Sequence, residues 1–145
     1  MRVALLDVNV LIALAWPTHI HHEAAHAWFN QEQQHGWATC PLTQSALVRL
    51  SSNSKILADA VSLADALALL KVLTAIPSHQ FWADSLALLD GAVFQSGYVV
   101  GHRQITDAYL YSLAIERDAR LVTFDQGLPS LYPSAAEKHL LVLKA

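Results

Sequence analysis

The chain has 145 residues, 54% of them hydrophobic and 14% charged, with a net charge of −3. That balance excludes a disordered tail or polar linker, and the negative sum excludes a generally basic nucleic-acid coat. Cys40 is the sole cysteine, which excludes an internal disulfide and predicts a reducing compartment, the cytoplasm.

Residues 3–6 form a short unbroken apolar run, which predicts a strand buried on both faces. Arg2 and the apolar residues after it have the outline of a signal peptide, but Asp7 and Asn9 sit inside the run, so export is not expected. Residues 10–16 start a helix that Pro17 stops. Residues 21–33 read as a helix with Ala24, Ala27, Trp28 and Phe29 inward. Residues 37–40 form a second strand ended by Pro41, residues 43–50 a helix, and residues 51–54 a loop. Ser62 with Asp65 makes a capping-box pattern, which opens a helix reaching about Thr74 before Pro77. Residues 81–101 fit strand or helix equally. Residues 105–117 form a strong helix with Thr106 as its N-cap, residues 120–124 the strand directly after it, and residues 140–143 a last strand. Alternating strands and helices predict a single α/β domain over residues 1–145, with a parallel sheet between helical layers. No uncharged apolar run approaches the roughly 18 residues of a membrane span. The mean hydropathy of +0.31 instead predicts an apolar patch that a partner covers.

Three acids stand where acids are costly. Asp7 ends the first strand, Asp125 follows the apolar run Leu121-Val122-Thr123-Phe124, and Asp107 starts a helical stripe continued by Leu110, Tyr111 and Ala114. In open parallel sheets, ligands bind beyond the carboxyl ends of the strands. Carboxylates gathered there repel one another and lose solvation, so their pKa values rise unless a cation offsets the charge. An all-oxygen Asp set suits Mg²⁺ or Mn²⁺ rather than zinc. Such an ion supports phosphodiester hydrolysis by activating water and stabilising the leaving oxygen.

Leu5-Leu6-Asp7-Val8-Asn9-Val10-Leu11-Ile12, Thr106-Asp107-Ala108-Tyr109-Leu110 and Thr123-Phe124-Asp125 together resemble the PIN-domain ribonucleases, above all the VapC-type toxins of toxin–antitoxin pairs. The resemblance covers nearly the whole chain. It implies a three-layer α/β/α fold, endonucleolytic cleavage of RNA with Mg²⁺ or Mn²⁺, an inhibitory antitoxin partner and a homodimer. It assigns the metal to Asp7, Asp107 and Asp125, with Asn9 supporting the site. Where the family commonly has a glutamate, this chain has Gln44, which is as long but uncharged. That departure puts a second ion in doubt more than the activity, and it keeps open a catalytically weak RNA-binding or regulatory module.

Arg103, one helical turn before Asp107, and Arg49 are candidate phosphate contacts. Trp82, Tyr98 and Tyr109 are candidate base-stacking residues or core. His22-Glu23-Ala24-Ala25-His26 matches the zinc-hydrolase pattern H-E-x-x-H literally, but no segment offers a third ligand and the three acids stay unexplained. The plain alternative is a polar helix start with its imidazoles exposed. No glycine-rich phosphate loop occurs, and Asn9 stands where a haloacid-dehalogenase-like phosphatase needs a second Asp.

Overall fold

The computed structural model describes residues 2–144. Five parallel strands form one sheet: β1 (Ala4–Leu6), β2 (Trp37–Thr39), β3 (His79–Phe81), β4 (Arg120–Thr123) and β5 (Leu140–Val142). Their order is β3-β2-β1-β4-β5, with Leu5 opposite Ala38 on one side and Leu121 on the other. The α-helices are α1 (Val8–Ala15), α2 (His22–Glu32), α3 (Pro41–Ser51), α4 (Leu63–Thr74), α5 (Ala92–Gln95), α6 (Ile105–Glu116) and α7 (Ala136–His139).

Side-chain alternation in the strands divides the core. Leu5, Ala38 and Leu121 face a layer built on α6 and α5, while Ala4, Leu6, Trp37 and Val122 face α1, α2 and α3. Leu5, Leu6, Leu121 and Val122 are fully buried, and each side chain of that kind contributes about 1.5–3 kcal/mol. Trp37 closes the second layer edge-on to Phe29, with ring centroids 5.2 Å apart. The expected three-layer α/β/α arrangement is therefore the observed one.

Strand order reverses direction between β1 and β4. The chain first builds outward from β1 to β2 and β3, then returns to lay β4 on the other flank of β1. Just beyond the carboxyl ends of these two strands lies the switch-point crevice of an open parallel sheet. Asp7 stands there by local necessity: it ends β1 and caps α1, its Oδ1 accepting from the Val8 N–H at 2.7 Å.

α6 is the central pillar of its layer. Every residue from Ala108 to Ala114 is buried, and Asp107 precedes them in the first turn. The helix turns into β4 through Asp118, at φ 51, a left-handed position that Asp tolerates better than most residues. Cys40, fully buried, caps α3, and Pro41 takes the first helical position, where its missing N–H costs nothing. Ser62 caps α4 by accepting from the Asp65 N–H at 3.1 Å.

Several expectations need correction. Gln104, not Thr106, caps α6, because a 3-10 turn over His102–Gln104 starts the winding earlier and leaves Thr106 exposed in the first turn. On α2 the buried residues are Ala25 and Phe29, Trp28 packs half-buried against the same core as expected, and Ala27 is exposed. β3 was not foreseen: His79-Gln80-Phe81 has no apolar run, since it is an exposed edge strand that packs only one side. Of residues 81–101, Phe81 ends β3 and the rest form only short 3-10 and α turns.

Candidate active site

Asp7 is 3% exposed, and its second oxygen is held as firmly as its first. The Thr123 hydroxyl donates to Asp7 Oδ2 at 2.9 Å. Thr123 Oγ1 accepts from Asn9 Nδ2 and from the Asp125 N–H, each at 3.0 Å. Asn9 Oδ1 accepts from the Phe124 N–H at 3.1 Å. One buried threonine thus fixes Asp7, Asn9 and the backbone of Asp125 in a single network. Asn9 Nδ2 also donates to Asp7 Oδ2, at 3.5 Å. Thr123 escaped the sequence reading, although a polar residue inside an apolar strand, two before an acid, was the signal for it.

Asp125 turns on itself: its Oδ1 accepts from the Gly127 N–H at 2.8 Å, an Asx turn just past β4. Asp107 makes no side-chain hydrogen bond among the described residues. Burial, then the charges of Asp7 and Asp125, push its carboxyl up to about 6. Burial raises Asp7 as well, against the Thr123 and Val8 hydrogen bonds, which pull it down, and Asp125 adds to the rise. The three acids therefore feel one another's charge.

They are neighbours rather than a closed cluster. Asp7 and Asp107 line one cavity of about 230 Å³, and Asp107 and Asp125 line another of about 270 Å³, so Asp107 joins the two. Among the described residues, no three His, Cys, Asp or Glu side chains are gathered tightly enough to hold an ion as they stand. The donor chemistry nevertheless suits a hard divalent cation: the ionisable donors are carboxylates, Asp107 has free acceptor capacity, and among the described residues no cationic side chain forms an ion pair with them.

Gln44 does not share this space. It lines a groove of about 570 Å³ between α3 and α4, and its Nε2 donates to Thr39 Oγ1 at 3.0 Å. Arg49 lines both that groove and the Asp7–Asp107 cavity. Arg103 is exposed in the 3-10 turn before α6 and lines none of these three cavities. Of the aromatic candidates, Trp82 and Tyr109 belong to the core, and Tyr98 is 56% exposed.

The histidines resolve differently from either expectation. His22 Nδ1 lies 2.7 Å from the Ala13 carbonyl oxygen, and His26 Nε2 lies 3.2 Å from that of Leu14. Both imidazoles are turned inward, half-buried, to satisfy carbonyls at the end of α1 that have no partner within the helix. The H-E-x-x-H pattern is thus a helix cap, and no third ligand joins it among the described residues.

The PIN domain family matches residues 4–132 of this chain. Ribonuclease VapC38 of Mycobacterium tuberculosis is 50% identical over 129 residues, covering 89% of each chain. Two solved structures share the fold at low identity. VapBC2 of Rickettsia felis, bound to a DNA fragment from its promoter, superposes with a TM-score of 0.66 at 14% identity, covering 98% of this chain and 99% of that one. VapC20 of Mycobacterium tuberculosis, described as a sarcin-ricin loop cleaving toxin, superposes with a TM-score of 0.63 at 10% identity, covering 89% of this chain and 95% of that one. A parallel sheet with acids at its switch point, matched over nearly its whole length by these proteins, makes this chain a member of the PIN-domain family, among the VapC ribonucleases.

Proposed function

We propose that the chain is an endoribonuclease dependent on Mg²⁺ or Mn²⁺, the toxin of a toxin–antitoxin pair, acting in the cytoplasm. The observation that carries this reading is the Asp7–Asp107 cavity, where two carboxyls are held above their ordinary range by burial and by neighbouring carboxylate charge, with no ion pair to a cationic side chain among the described residues. The ribonuclease name of its relative and the toxin of similar fold support the substrate class.

Asp7 and Asp107 are the proposed ligands of the cation, with Asp125 behind them. When bound, the ion would lower the pKa of water and stabilise charge on phosphate and leaving oxygens. The chain's own residues prepare that step. Thr123 and Asn9 fix the Asp7 carboxylate, and the buried α6 mounts Asp107 rigidly, so neither acid needs reordering when RNA arrives. In the reaction the water oxygen bonds to phosphorus and one bridging P–O bond breaks. The departing oxygen takes up a proton, leaving a hydroxyl and a phosphomonoester.

A cognate antitoxin and a second copy of the chain are the proposed protein partners. Exposed Leu63, Leu67, Leu89 and Val100 leave apolar surface for them. No helix among the described residues is long and apolar enough to cross a membrane. The test is RNA cleavage by the purified chain with Mn²⁺ or Mg²⁺ and with EDTA, beside Asp107→Asn. Cleavage that needs the ion and the carboxylate is expected. Equal cleavage in EDTA, or none with either ion, would overturn the proposal.

A further inference from the structure

We propose that Arg49 supplies, beside a single divalent ion, the positive charge at the cut phosphate that a second ion would otherwise bring. This rests on the nuclease reading above and deepens it.

Side chain 44 is removed from the ion site in two ways. Gln44 carries no charge, and it is tied elsewhere: its amide is held by Thr39 Oγ1, which lies 2.7 Å from His79 Nε2. Thr39 is 1% exposed, so the chain Gln44–Thr39–His79 anchors this side chain to β2 and β3, and it does not line the cavity of Asp7 and Asp107. The same helix, α3, brings Arg49 to the wall of the cavity those two acids line. Arg49 is exposed, and among the described residues its guanidinium makes no hydrogen bond and no ion pair. It is therefore free to meet an incoming group.

A guanidinium is suited to the task, because its planar fork donates to two phosphate oxygens at once. Arg49 would hold the non-bridging oxygens while the water oxygen bonds to phosphorus, the bridging bond breaks and the departing oxygen is protonated.

The test uses the full chain and Arg49→Ala. Calorimetric titration is expected to find one Mn²⁺ per wild-type chain, bound equally or more tightly by Arg49→Ala. The variant should lose about a hundredfold in kcat, the usual scale for one donor aimed at developing charge. It should also bind RNA more weakly in EDTA, where no cleavage is expected, and Arg49→Lys should recover part of kcat. Two Mn²⁺ at the site, or an Arg49→Ala kcat within about twofold of an active wild type, would overturn the role of Arg49 alone. A wild type that cuts no RNA with either ion overturns the nuclease reading itself.

Discussion

The two ends of α1 carry the chain's two clusters of titratable side chains, and they differ in what is left over. At the C-terminal end, His22 and His26 each spend a ring nitrogen on a main-chain carbonyl. At the N-terminal end, Asp7 caps the helix and accepts from Thr123, yet burial and nearby Asp125 still hold its carboxyl above the ordinary range, while Asp107 across the cavity has no hydrogen-bond partner among the described residues. The first cluster completes the fold. The second leaves the Asp107 carboxyl without a partner among the described residues, which supports the proposed cation site. The H-E-x-x-H match, set aside in the sequence for want of a third ligand, specifies spacing and not what the imidazoles face, which here is main-chain carbonyls.

The strongest way to break the contrast is to remove charge at the acid end. Asp7→Asn or Asp107→Asn should lower RNA cleavage about a thousandfold or more, since several kcal/mol of charge stabilisation goes with the carboxylate. Asp107→Asn, which breaks no hydrogen bond among the described residues, should not lower the metal-free melting temperature, and a folded, inactive protein by circular dichroism and fluorogenic RNA assay is the expected result. Thr123→Val comes next. It strips Asp7 Oδ2, Asn9 Nδ2 and the Asp125 N–H of a shared partner, which costs about 1–3 kcal/mol of stability and about tenfold in cleavage. Thr123→Ser should recover most of both in denaturant titration and activity assay.

At the histidine end the effect is smaller and structural. His26→Ala leaves the Leu14 carbonyl unpaired and should cost about 1 kcal/mol, a drop of roughly 2–8 °C in melting temperature. Cleavage should be unchanged, and elemental analysis should find no stoichiometric zinc in either protein. The smallest effect is a pH slope. The Asp107 carboxyl stands at about 6 in the fold against 3.8 ordinarily, so the folded chain holds that proton more tightly. The stability it contributes is full below pH 3.8 and is lost as pH rises through about 6. In EDTA, Asp107→Asn should therefore out-melt wild type by more at pH 7.5 than at pH 5, and Mn²⁺ should erase the gap by stabilising wild type.

What was legible in the sequence follows from how local its cause is. Asp7 could be placed because an apolar strand ran straight into it, and α6 because Leu110, Tyr111 and Ala114 repeat at helical spacing behind Asp107. β3 was illegible because an edge strand with one exposed side shows no apolar run. The cap of α6 was misplaced because a 3-10 turn has no sequence mark of its own. Thr123 needed the fold, because it acts across 116 residues on Asp7; Arg49 was named from the sequence as a phosphate candidate, but its place on the wall of the acids' cavity is tertiary. Gln44 was recognised by position, but its ties to Thr39 and His79 are tertiary.

The enclosed thiol of Cys40 offers a practical use. It sits sealed at the root of the helix that bears both Gln44 and Arg49, and burial pushes its ionisation up, so a labelling reagent meets it only when that root parts from β2. With one such group per chain, the rate of thiol modification becomes a built-in clock for how often this wall breathes, with no engineered probe required.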